Sequence, residues 1–146
     1  MKLHSSPLIP SLPSKALSLP LCAHGVAAGF PSPADDYIER QLDLNDYLVK
    51  HPAATYFARA NGDSLNGMGI YDKDLLVVDR SIEPKHGYLV VAAIEGELCC
   101  KVLDLKQRRL LSANPHFPPI PLPEDIYLLI EGVVVHAIHH LPGQSQ

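Results

Sequence analysis

Two apolar, β-rich runs, residues 88–94 and 97–103, are separated only by Glu95 and Gly96. A two-residue loop ending in glycine suits a tight turn with positive φ at both central positions. The spacing therefore predicts an antiparallel hairpin. Both runs are apolar at successive positions as well as alternate ones, so each strand has to be covered on both faces. Further strands are expected at residues 55–60, 75–78, 109–113, 126–130 and 133–138, with Gly132 marking a bulge or bend. One short helix of about two turns is expected, with Asp43 as its N-cap and an end before His51-Pro52. These elements predict a mostly β, largely antiparallel domain over residues 34–140, followed by a frayed tail at 141–146.

Residues 1–33 differ in kind. Pro7, Pro10, Pro13, Pro20, Pro31 and Pro33 lie in a Ser/Leu-rich stretch that cannot sustain a helix. A loose, extended N-terminal arm is the expectation. A secretory signal is the rival reading, with Lys2 and Lys15 as its basic region and Val26 and Ala28 before a cleavage point. Pro20 interrupts the apolar run, however, and His24 follows it. An exported β-domain is thus disfavoured, and no run reaches transmembrane length. Within the arm, Ala27-Ala28-Gly29 reads either as a linker or as a protease-sensitive bond.

The 146 residues are enough for one domain. Net charge is −4, and no dense Lys/Arg cluster supplies the positive footprint that duplex binding needs. Direct, specific DNA binding is not expected. Three cysteines, Cys22, Cys99 and Cys100, have neither metal nor disulfide spacing; they read as small apolar side chains in a reducing cytoplasm.

Two residues carry candidate chemistry. Ser64, in Asn61-Gly62-Asp63-Ser64-Leu65, follows a strand and sits in a glycine-tightened turn, where a hydroxyl can be presented as a nucleophile. Taken alone, a serine in such a turn is far more often a simple turn former. Lys101 falls in the middle of the apolar hairpin strand, with Cys99 and Leu103 on its own face. Burial there disfavours the ammonium form, and a neutral amine is a competent general base. The plainer account is a lysine that reaches solvent or pairs with Glu97. His51, His86 and His116 lie in loops, and nothing marks one of them as a triad member. His136 and His140 have a helical spacing on a segment that reads as strand, so no metal site is expected. No phosphate-binding glycine loop is present, and no cofactor is expected. Asp35-Asp36 and the pair Asp72 and Asp74 read as solvated turn residues.

The ordered set of these features resembles the LexA/UmuD family of self-cleaving Ser-Lys peptidases, UmuD-like mutagenesis proteins above all. The resemblance runs from about Gly25 to His136. Ala28-Gly29 followed by Phe30-Pro31-Ser32-Pro33 is similar to the family's cleavage site, and residues 37–45 to the segment after it. Gly62-Asp63-Ser64 resembles the nucleophile turn, and residues 72–79 the strand behind it. Glu95-Gly96-Glu97 with Lys101 resembles the base-bearing hairpin, and Glu131-Gly132-Val133-Val134 the last strand. Leu65 stands where the family usually has methionine, a swap of similar volume.

The resemblance implies a LexA-like peptidase β-domain with Ser64 as nucleophile and Lys101 as base. The backbone N–H groups of Asp63 and Ser64 would serve as oxyanion donors, and cleavage would fall at Ala28-Gly29. It further implies stimulation by a RecA filament on single-stranded DNA, a homodimer, and a UmuC-like Y-family polymerase partner in translesion synthesis. Residues 1–28 are too few and too proline-rich for a helix-turn-helix, so a repressor is not expected. A non-catalytic scaffold that keeps the fold is the competing class.

Overall fold

The computed structural model describes residues 16–22, 25–26, 38–125 and 129–143, and these fall into two compact units, one within Ser5–Lys50 and one within His51–Gln146. In the first unit, β1 (Ser18–Cys22) pairs antiparallel with β2 (Ile38–Asp43). Residues 18–22 are thus a paired strand where loose extended chain was expected. Pro20 keeps the backbone extended, and its missing N–H is tolerable in a two-stranded ribbon, where each strand has a free edge. Asp43 then caps α1 (Leu44–Leu48): its Oδ1 accepts from the Asn45 N–H at 2.9 Å and its Oδ2 from the Leu17 N–H at 3.3 Å. The helix is five residues long, shorter than the two turns expected. The candidate bond Ala28-Gly29 lies outside the described residues, as do residues 126–128 of an expected strand and 144–146 of the tail.

The second unit is a seven-stranded sheet. Its strands are β3 (Thr55–Arg59), β4 (Leu75–Asp79), β5 (Leu89–Ile94), β6 (Glu97–Asp104), β7 (Arg109–Leu111), β8 (Ile120–Pro121) and β9 (Ile130–Ile138), in the order β3-β4-β9-β5-β6-β7-β8. Every pairing among the described strands of this sheet is antiparallel. The β5–β6 hairpin turns on Glu95 (φ 50°) and Gly96 (φ 83°), as its sequence requires. β9 is inserted between β4 and β5 and carries two irregularities. Its register slips by one residue against β5 beside Gly132 and again against β4 beside Val135. Gly132 has φ 152°, and a Cβ there would stand 2.6 Å from Val78 Cγ1, so only glycine fits the bend.

Two-residue alternation sorts the interior. Leu89 and Val91 of β5 join Leu76, Val78, Leu65 and Ile70 in one buried cluster; Val90 and Ala92 join Leu103, Leu110 and Val133 in the other. Both faces of the central strands are therefore covered, which is why those runs are continuously apolar.

Buried carboxylates tie the loops to this sheet. Asp74 is 2% exposed, so it is not the solvated turn residue expected from its sequence setting. Burial alone would raise its pKa, but the Tyr71 N–H and the His139 ring more than offset this, and the carboxyl lies below the ordinary 3.8. Asp79 is held low in the same way: burial opposes ionisation, while Ser81 and His51 favour it. For Asp104 the chief cause is the Arg109 guanidinium at 2.9 Å, helped by the Gln107 N–H. A carboxyl whose folded pKa is depressed stabilises the fold above its unfolded pKa, and that contribution is lost as pH falls through the folded value. Thermal unfolding between pH 6 and pH 2 should accordingly show a steep loss of Tm below about pH 4. Replacing Asp74 or Asp79 with asparagine should lower Tm at neutral pH and flatten the acid limb.

Candidate active site

The turn after β3 is fixed from several sides. Ala60 exchanges backbone hydrogen bonds with the 73–74 segment, its N–H donating to the Asp74 carbonyl at 2.9 Å and its carbonyl accepting from the Lys73 N–H at 2.7 Å. Gly62 has φ 84°, and its N–H donates to Asp72 Oδ1 at 2.8 Å. Leu65 and Ile70 are buried and anchor the far side of the turn, so leucine fills the position where the family usually has methionine. Between these anchors Ser64 is half-buried. A single 3-10 turn, Asn66–Met68, follows.

A loop after β7 grips the main chain at Ser64. The Ser64 carbonyl accepts from Ser112 Oγ at 2.5 Å and from the Asn114 N–H at 3.1 Å. The Asp63 carbonyl accepts from Asn114 Nδ2 at 3.3 Å and from the Asn66 N–H at 3.2 Å. In a planar trans peptide the carbonyl and the following N–H point in opposite directions. With the Asp63 carbonyl held toward Asn114, the Ser64 N–H is turned the other way. Gly67 packs directly on this loop, where a Cβ would stand 2.7 Å from the Ala113 carbonyl oxygen.

Lys101 is 9% exposed and pairs across the hairpin with Val90. No salt bridge to Glu97, or to any other acid among the described residues, is formed. Its Nζ lies 5.1 Å from the centre of the Phe117 ring. Ser64 and Lys101 line one cavity of about 630 Å³, together with residues 57–63, Leu65, Ile70, Leu75, Leu76, Val91, residues 98–100 and Phe117. Two strand edges flank it. Among the described strands, β3 pairs only with β4, and β6 is paired by β7 only from Val102 onward, which leaves the 98–101 stretch with one partner strand. An extended peptide can add to such an edge.

Other candidates fall away from this cavity. Among the described residues, no histidine lines it. His51 and His139 bond Asp79 and Asp74 at 2.5 Å each, and His86 Nδ1 accepts from the Leu105 N–H at 3.1 Å. Cys99 and Cys100 do line the cavity, but burial pushes both thiols up, Cys100 to about 12, so neither supplies much thiolate at neutral pH. Among the described residues no group of three His, Cys, Asp or Glu side chains is placed to hold a metal ion, and no helix is long and apolar enough to cross a membrane. Sequence reasoning gave no role to Gly67, Ser112, Asn114 or Phe117. The only local signal was the proline-rich loop at 114–123, which says nothing of what the loop touches.

Comparison with known proteins gives the chain's family. Residues 20–135 match the family described as Peptidase S24-like. The chain is 50% identical over 123 residues to Protein ImpA of Salmonella typhimurium, covering 82% of this chain and 83% of that one. It is 42% identical over 131 residues to Protein MucA of Escherichia coli, covering 88% and 90%. LexA repressor 1 of Pseudomonas putida is 38% identical over 135 residues, covering 89% of this chain and 66% of the repressor. The chain therefore belongs to the peptidase S24-like family, as a UmuD-like self-cleaving serine peptidase of SOS mutagenesis.

Proposed function

We propose that Ser64 and Lys101 are the catalytic dyad and that the bond they cut is Ala28–Gly29, in an arm spanning residues 1–33. The observation that carries this reading is a buried lysine, with no salt bridge among the described residues, sharing one cavity with a serine whose carbonyl is gripped by the loop after β7. In the neutral form Lys101 takes the proton from Ser64 Oγ, which attacks the Ala28 carbonyl carbon. The oxyanion is met by the N–H groups of Asp63 and Ser64. Collapse breaks the C–N bond, and the Lys101 ammonium returns its proton to the departing Gly29 nitrogen. Water, deprotonated by Lys101, then attacks the Ala28–Ser64 ester and regenerates the hydroxyl. Glycine at position 29 lets the arm's backbone approach closely. The free edges at β3 and at the 98–101 stretch of β6 support docking of the arm as an added strand.

The wider role follows the family. The trigger is a RecA filament on single-stranded DNA, and the processed chain forms a homodimer that serves a UmuC-like Y-family polymerase in the cytoplasm. The net charge of −4 fits a protein that reaches DNA through partners.

A reaction that needs a lysine in its amine form should speed up with rising pH. Incubating the purified full chain at pH 7 and pH 10 and weighing the products tests this. Faster appearance of a Gly29-starting fragment at pH 10 is expected, with none from Ser64→Ala. Equal processing by Ser64→Ala would remove the serine from the reaction, and a protein never processed under any condition would favour the scaffold reading.

A further inference from the structure

The last pairs of three neighbouring strands lie in one row: Arg59 of β3 faces Leu75 of β4, which faces Ile138 of β9. One step further along, Ala60, Asp74 and His139 continue the row. The Ala60 N–H donates to the Asp74 carbonyl at 2.9 Å, and the His139 ring meets the Asp74 carboxylate at 2.5 Å. We propose that His139 is a positioning residue for Ser64, holding the nucleophile turn in place through Asp74 and the 71–74 segment. This rests on Ser64 being the nucleophile, as read above.

The linkage runs through a closed set of contacts. The Asp74 carboxyl is 2% exposed and lies below the ordinary 3.8, so it is ionised at neutral pH and both oxygens only accept. His139 Nδ1 therefore carries the proton and donates to Oδ1. Oδ2 accepts from the Tyr71 N–H at 2.9 Å, and the Asp74 N–H donates back to the Tyr71 carbonyl at 3.0 Å, which closes a tight turn over residues 71–74. The Tyr71 ring lies against the His139 ring, with centroids 5.4 Å apart. This turn holds the approach to Ser64 at three points: the Ala60 N–H on the Asp74 carbonyl, the Lys73 N–H on the Ala60 carbonyl at 2.7 Å, and the Gly62 N–H on Asp72 Oδ1 at 2.8 Å. Without the His139 donor a buried carboxylate oxygen loses its partner, and the turn it organises must rearrange to satisfy it.

The plainer account is a half-exposed histidine that only neutralises a buried acid. The same strand supplies the control. At the other end of β4, His51 meets Asp79 at the same 2.5 Å, with side-chain exposures of 54% and 4% against 48% and 2% for His139 and Asp74. The two pairs match in chemistry and burial, but Asp79 stands opposite Thr55, at the end of β3 remote from the nucleophile turn.

Full-length protein carrying Ser64→Ala, which keeps the arm attached, is labelled with ¹⁵N, and amide hydrogen exchange is followed by NMR. His139→Leu should speed exchange at Ala60 and Gly62 by about tenfold or more, while Leu103, bonded to the Tyr88 carbonyl, keeps its parent rate. His51→Leu should leave Ala60 and Gly62 at parent rates. In the cleavage-competent background, His139→Leu should slow self-cleavage at pH 10 by about tenfold or more. His139→Asn, whose side-chain N–H can replace that of Nδ1, should recover most of the rate, and His51→Leu should cleave like the parent. Unchanged exchange at Ala60 and Gly62, a uniform rise across the sheet, parent-like cleavage by His139→Leu, no recovery in His139→Asn, or equal slowing by His51→Leu overturns the proposal. Thermal unfolding checks the fold of each variant, and His139→Ala, with the same expectation, replaces leucine if that variant unfolds. Failure of the dyad reading looks different: cleavage would survive Ser64→Ala, whereas the exchange rates are measured without any cleavage.

Discussion

Lys101→Ala is expected to slow self-cleavage by about 10²–10⁴-fold while leaving the fold intact. The rate effect follows from the role: without a base, Ser64 Oγ keeps its proton at neutral pH and is a poor nucleophile. The structural effect follows from Lys101 having no acid partner among the described residues. Removing one member of a buried ion pair strands the other charge at a large cost, whereas removing an unpaired buried cation strands nothing. The side chain also borders an existing cavity, so its loss widens a space already present. A time course of intact mass gives the rate, and thermal unfolding gives the stability. Near-normal cleavage, or a collapse of Tm that alone explains the lost activity, would contradict the assignment.

Gly67→Ala is the second large effect, and it acts without touching either catalytic side chain. The new Cβ would stand 2.7 Å from the Ala113 carbonyl oxygen and 3.2 Å from Ala113 Cβ. A backbone oxygen cannot rotate out of the way, so the 112–114 loop must move as a unit. That movement loosens the Ser112 and Asn114 hydrogen bonds that hold the Ser64 carbonyl. Overpacking of this kind costs about 1–3 kcal/mol of stability. A displacement approaching 1 Å at the nucleophile costs roughly 10²-fold in rate. Self-cleavage at pH 10 and Tm measured on the same preparation separate the two; unchanged cleavage would mean that the loop does not position the serine.

Much of the sheet was legible in the sequence because its cause is local. The Glu95-Gly96 turn and the apolar runs beside it require a hairpin, and β5 sorts its side chains by simple alternation. Gly132 announced the bend in β9 because a side chain has no room there. Asp74 was misread for the opposite reason. Its partner His139 is 65 positions away, and nothing in the local run of charged residues reveals that pairing. The β1 strand was missed since Pro20 argues against helix but is silent about which strand an extended segment will meet. The loop around Asn114 shows the same limit. Ser64 and Lys101 stand out by residue type and setting, but the groups that hold them are ordinary residues whose importance comes only from tertiary contact.

The most direct test of the whole account is the intact mass of the full chain after incubation with RecA, single-stranded DNA and ATP. The account predicts conversion to a fragment beginning at Gly29, and none from Ser64→Ala. An uncut chain, a cut at another bond, or equal conversion of Ser64→Ala would contradict it.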